Sequence, residues 1–121
     1  MAKRILVVED EEDVLRVVTL RLESSGYEVI PAVDGLDGLD KAKRSKPDLI
    51  ILDVMLPKMD GYKVCKMLKF SEDYKDIPIV ILTARMESNK KLAEELRYDA
   101  YITKPFDFAA LLQTIKQLLK E

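Results

Sequence analysis

The chain has 121 residues, 48% hydrophobic and 35% charged, which is the length of one domain with an ordinary globular core and leaves no room for a second unit. Its net charge of -2 gives no basic footprint, so direct nucleic-acid binding by this chain is not expected. It has no histidine and one cysteine, which excludes Ser-His and Cys-His catalysis, His-ligated zinc and an internal disulfide. In chain order, Met1-Ala2-Lys3-Arg4 resembles no signal peptide and leads directly into the apolar run Ile5-Leu6-Val7-Val8, a buried strand that stops on Glu9-Asp10. Glu11, Glu12 and Asp13 suit the first turn of a helix, where the helix dipole favours acids. Val14, Leu15, Val18 and Leu22 give that helix its apolar face, and Gly26 stops it. Tyr27 to Ala32 is a less apolar strand, and Pro31 suggests that it lies at an edge.

The next helix takes Asp34 as N-cap and turns Leu36, Leu39 and Ala42 inward. Its basic end, Lys41, Lys43, Arg44 and Lys46, reads as a solvated helix terminus. The small repeat Asp34-Gly35-Leu36-Asp37-Gly38-Leu39-Asp40 lacks the spacing and terminal Glu of a calcium loop. After Pro47 the run Leu49-Ile50-Ile51-Leu52 ends on Asp53, and Gly61 opens a helix carrying Val64, Cys65 and Leu68. Cys65 fits there as a small buried residue. Ser71 to Pro78 is a polar connection to Ile79-Val80-Ile81-Leu82, which ends on Thr83. Leu92, Ala93 and Leu96 mark a fourth helix, and Ala100-Tyr101-Ile102-Thr103 is a strand ending on Lys104-Pro105. Asp107 then caps a last helix bearing Leu111, Leu112, Ile115, Leu118 and Leu119. No stretch approaches the roughly 20 apolar residues needed to span a bilayer, so a cytoplasmic location is expected by elimination.

Alternating strands and helices imply an α/β fold with a parallel sheet, helices on both faces and right-handed crossovers. The common strand order 2-1-3-4-5 places strands one and three side by side, and ligands of such sheets bind beyond the carboxyl ends of the strands. Glu9, Asp10, Asp53, Thr83 and Lys104 should therefore converge on one edge. Three adjacent carboxylates repel one another and call for raised pKa values or a cation, for which magnesium with its oxygen ligands is the natural candidate. Lys104 opposes the acids with a fixed positive charge, either as a structural ion pair or as a partner for an incoming anion. Thr83 alone would suit a helix N-cap; its place at a buried strand end beside these acids favours a functional role.

The stretches Ile5 to Glu12, Leu52 to Gly61, Leu82-Thr83-Ala84-Arg85 and Tyr101 to Phe106 resemble, in order and in spacing, a response-regulator receiver domain across residues 1–121. The resemblance implies a flavodoxin-like doubly wound fold and a phosphorylation-dependent switch that turns over no substrate. It implies that Asp53 accepts a phosphoryl group from a sensor histidine kinase or a histidine phosphotransfer protein. Asp10 and Asp53 would ligate Mg2+ directly, Glu9 through water, and Met55 through its backbone carbonyl. Lys104 would pair with phosphoryl oxygens ahead of a cis Pro105, and Thr83 with the Ala84 amide would bind the phosphoryl group. Tyr101 would turn inward with Thr83, and an output domain or protein partner would meet the face formed by the fourth helix, fifth strand and fifth helix.

Two departures stand out. Arg97-Tyr98 replaces the Gly-Ala that usually ends the fourth helix, so a differently terminated or shortened helix and an atypical output face are expected; a left-handed Arg97 would refute this. The last helix carries Lys116 and Lys120 in place of the arginines typical of receivers that dimerise to bind DNA, which weakens the expectation of such dimerisation. Met55 and Arg85 are bulky residues flanking the path of a hydrolytic water, so a long-lived phosphorylated state is expected. A phosphatase of the haloacid-dehalogenase type also uses a strand-end Asp, but would want a second Asp where Met55 stands. A module that binds partners without accepting phosphate is the third reading, and the intact set Asp10, Asp53, Thr83 and Lys104 argues against it.

Overall fold

Every apolar run becomes a strand in the computed structural model, which describes residues 2–84 and 90–121, Lys90 by its backbone alone. The strands β1 (Arg4–Val8), β2 (Glu28–Ala32), β3 (Leu49–Leu52), β4 (Ile79–Thr83) and β5 (Ala100–Thr103) alternate with five helices. These are α1 (Glu12–Ser24), α2 (Gly35–Ser45), α3 (Gly61–Lys69), α4 (Lys90–Leu96) and α5 (Phe108–Leu119). The sheet is parallel throughout, in the order β2-β1-β3-β4-β5. Val8 pairs with Leu52, Leu52 with Ile81, and Thr83 with Thr103, so the chain segments leaving β1, β3, β4 and β5 emerge on the same edge.

Because successive strand residues face opposite sides, the buried runs divide into two layers. Leu6, Val8, Ile50, Leu52, Ile79 and Ile81 pack with residues of α2, α3 and α4, whereas Ile5, Val7, Leu49, Ile51, Val80 and Leu82 pack with α1 and α5. At roughly 1.5–3 kcal/mol for each fully buried aliphatic side chain, these layers are the main force holding the sheet. β2 is an edge strand, and Pro31 sits in it opposite Val7. Asp34, Asp60 and Asp107 cap α2, α3 and α5 by accepting hydrogen bonds from the amides of Asp37, Lys63 and Ala109. Gly26, with φ of 95°, follows the end of α1.

Two expectations fail. Leu36 is 48% exposed; the buried stripe of α2 is Gly35, Gly38, Leu39 and Ala42, and Leu36 lies one helical step to its side. The fourth helix does not end in an unusual way. Arg97 takes the left-handed conformation itself, φ 60°, with its amide donating to the Ala93 carbonyl at 2.7 Å. Its guanidinium lies 4.3 Å over the Phe70 ring, and a cation–π contact of about 0.5–1 kcal/mol offsets a left-handed cost of roughly 1 kcal/mol.

The polar connection before β4 has an anchor that no local pattern announces. Lys69, buried at the end of α3, donates to Asp99 Oδ2 at 2.7 Å and to the carbonyls of Ile77 and Lys75 at 2.9 and 3.2 Å. Asp99 Oδ2 also accepts from the Ile79 amide at 2.7 Å, fixing the start of β4.

Candidate functional site

Glu9 and Asp53 are the residues that follow β1 and β3, and backbone bonds hold both. The Asp53 amide donates to the Val8 carbonyl at 3.1 Å and the Glu9 amide to the Ala32 carbonyl at 3.0 Å. The strands thus carry two carboxylates into nearly dry positions, with Glu9 3% and Asp53 4% exposed. Asp10 stays exposed beside them. Carboxylate oxygens of Glu9, Asp10 and Asp53 all lie within 4.8 Å of one another. Lys104, placed by β5 and followed by a cis Pro105, reaches over them. Its Nζ contacts Glu9 Oε1 and lies 3.1 Å from Asp53 Oδ2 and 3.5 Å from Glu11 Oε1. Thr83 is fully buried at the end of β4, and Ala84 is exposed next to it. Met55 is 56% exposed, and its amide donates to Asp53 Oδ1 at 3.1 Å.

The loop that carries Asp53 is pressed between two glycines. A Cβ on Gly61 would lie 2.1 Å from the Asp53 carbonyl oxygen, and one on Gly35 would lie 1.8 Å from the Met59 carbonyl oxygen. Neither position admits a side chain, so the start of α3 and the start of α2 both sit directly against this loop. Lys58, with φ of 69°, extends from it to within 3.5 Å of Asp34 Oδ2. Of these supports, Asp34 was legible in the sequence as a cap. The Lys58 contact and the joining of Glu11 to Lys104 had no local signal, because both pair residues distant in the chain.

The charges are arranged unequally. Burial pushes the Glu9 carboxyl up to about 7; the Lys104 ammonium opposes that rise and Asp53 adds to it. Burial acts on Asp53 in the same sense, but hydrogen bonds from the Met55 amide, Glu9 and Thr83, with the charge of Lys104, outweigh it and hold Asp53 below its ordinary value. Burial works against the charge on Lys104, yet Glu9 and Asp53 together keep its pKa above that of an ordinary lysine. Of the two buried acids, Asp53 is therefore the one held in its ionised form. Three hard oxygen donors so close together fit a magnesium ion, which takes one or two carboxylates and keeps waters for further ligands.

Acids and a lysine gathered at the switch point of an open parallel sheet define a doubly wound domain whose crevice suits a cation and a phosphate. Residues 5–116 match the family model of the response regulator receiver domain. The chain is 48% identical over 121 residues to the alkaline phosphatase synthesis transcriptional regulatory protein PhoP of Bacillus subtilis, covering 99% of this chain and 50% of that protein. It is 42% identical over 118 residues to the DNA-binding dual master transcriptional regulator RpaA of Synechocystis, covering 97% of this chain and 49% of that protein. Among solved structures it resembles the receiver domain of the sensor histidine kinase PA1611 from Pseudomonas aeruginosa, which has a magnesium ion coordinated in its active-site cleft; the TM-score is 0.90, the identity 29%, and both chains are covered completely.

The chain belongs to the response-regulator receiver family, the signal-transduction domain of two-component systems. It spans about half the length of the curated relatives it matches. Among the described residues no helix is long and apolar enough to cross a membrane.

Proposed function

We propose that the chain is a phosphorylation switch in which Asp53 accepts a phosphoryl group from a histidine on a sensor kinase or phosphotransfer protein. The reading is carried by one juxtaposition: Asp53 shares a 4.8 Å cluster with Glu9 and Asp10 while the Lys104 ammonium lies 3.1 Å from its Oδ2. The Asp53 carboxylate attacks phosphorus, a P–O bond forms, the P–N bond to the donor imidazole breaks, and its electron pair leaves with that nitrogen. Such transfers need little covalent help from the protein and depend on positioning and on neutralising charge at the equatorial oxygens. Lys104 would move from Glu9 and Asp53 to those oxygens, and the Thr83 hydroxyl and Ala84 amide would bind the others. Asp10, Asp53, the Met55 carbonyl and Glu9 through water would hold Mg2+. When bound, that ion supplies positive charge against the phosphoryl oxygens and relieves the repulsion among the three acids.

The new charge of about -1.5 to -2 draws Thr83 and Lys104 toward Asp53, and Tyr101 follows Thr83 inward. The change reaches the face of α4, β5 and α5, where an output domain or partner would read it. As a stoichiometric acceptor, the domain turns over no substrate. Incubation with acetyl phosphate and Mg2+ should add one phosphoryl group, seen by intact mass, and Asp53→Asn should abolish the gain. Steady phosphate release would instead mark a phosphatase, and no reaction an inert binding module.

A further inference from the structure

Tyr62 is the second residue of α3, and the buried stripe of that helix, Val64, Cys65 and Leu68, does not include it. Its hydroxyl lies 3.1 Å from that of Tyr101 on β5, close enough for one to donate to the other. Tyr101 also stacks obliquely on Tyr98, with ring centroids 5.4 Å apart and planes at 52°. All three rings are partly buried against the core layer that includes Ile79 and Ile81 of β4. β5 is the edge of the sheet and β4 lies between it and β3. A β5 side chain whose hydroxyl meets one from α3 therefore leans over β4, toward the middle of the sheet. At its other end Tyr62 is tied to the site: it follows Gly61, whose amide donates to the Val54 carbonyl at 3.0 Å and whose Cα face abuts the Asp53 carbonyl.

We propose that Tyr62 is a positioning residue for the switch, engaging the Tyr101 hydroxyl from the α3 side and so biasing the ring toward the inward arrangement that a phosphoryl group on Asp53 requires. The proposal rests on Asp53 being the phosphoacceptor. The contact between the two half-buried hydroxyls is lost if the Tyr101 ring swings out to solvent. Favouring the inward ring raises the fraction of the chain competent to bind the phosphoryl group, and so strengthens that binding by up to the factor by which the ring is favoured. An ordinary hydrogen bond corresponds to a factor of about five.

The test is a double-mutant cycle read by affinity for beryllofluoride, a phosphoryl mimic, in saturating Mg2+. Wild type should bind it and Asp53→Asn should not. Tyr62→Phe should weaken binding by up to about five-fold in the wild-type background and leave it unchanged in a Tyr101→Phe background, where the Tyr101 hydroxyl is gone. A role in packing alone would move both backgrounds equally and would overturn the proposal. So would an unchanged or tightened affinity in Tyr62→Phe while wild type binds normally; in both cases the phosphoacceptor reading survives. If wild type binds beryllofluoride no better than Asp53→Asn, the phosphoacceptor reading fails and the proposal with it.

Discussion

Two lysines, at opposite edges of the sheet, are each drawn into a cluster of oxygens, and they do different work. Lys69 has three N–H donors and meets three acceptors, the Asp99 carboxylate and the carbonyls of Ile77 and Lys75. One positive charge faces one negative charge and every donor is used, so the cluster is closed. Lys104 meets three carboxylates, Glu9, Asp53 and Glu11, with Asp10 adding a fourth nearby. There one positive charge faces an excess of negative charge, burial with a contribution from Asp53 drives the Glu9 pKa up to about 7, and a groove lined by Glu11, Val14, Ala84, Lys104, Pro105 and Phe106 opens beside it. A buried ion pair alone does not mark a functional site. An unbalanced one, open to solvent at a switch point, does.

The sharpest test of this contrast is to break the closed cluster. Asp99→Ala strands the Lys69 ammonium and the Ile79 amide. Because Asp99 is 32% exposed, the loss should be about 2 kcal/mol, below the range for a fully buried pair. Urea denaturation should show it, and phosphoryl uptake from acetyl phosphate should persist. Unchanged stability with lost uptake would reverse the roles assigned to the two edges.

The open cluster predicts a pH effect. The pKa of Glu9 is raised from 4.5 to about 7 in the folded state, so its proton is held more tightly there than in the unfolded chain. That contribution is fully present below about 4.5 and is lost as pH rises through about 7. Thermal melts of metal-free protein should fall across this window. Glu9→Gln should flatten the slope, and Mg2+ should restore stability on the alkaline side. A melting temperature that rises from pH 4.5 to 7 would contradict the assignment. The smallest effect concerns lifetime: replacing exposed Met55 with Asn should speed loss of phosphate from Asp53 by a few fold, and an unaltered half-life would dismiss Met55 as a barrier to water. Its proposed counterpart, Arg85, lies outside the described residues.

The sequence made one edge far more legible than the other. Runs such as Leu49 to Leu52 announce both a strand and its end, because a sheet covered on both faces needs uninterrupted apolar residues and its ligands must lie beyond them. Asp34, Asp107 and Pro31 were equally readable, each acting through its own local backbone. Lys69 was not, since a lysine at a helix end normally faces water and only Asp99 across the fold makes it otherwise. Leu36 misled through its apolar character, and Arg97 because the ring that lies under its guanidinium, Phe70, follows the end of another helix, α3. Tyr62 carries no periodic signal at all; its meaning depends on a hydroxyl 39 residues away.

Gly61 sets a mechanical limit on movement behind Asp53. With no clearance for even a methyl group between the head of α3 and the Asp53 carbonyl, the backbone behind Asp53 has a hard stop on that side. A push delivered at the Asp53 carboxylate cannot be absorbed by sliding α3 closer. Under the proposed switch, a phosphoryl group on Asp53 would therefore act through Thr83 and the end of β4, with α3 as the fixed side.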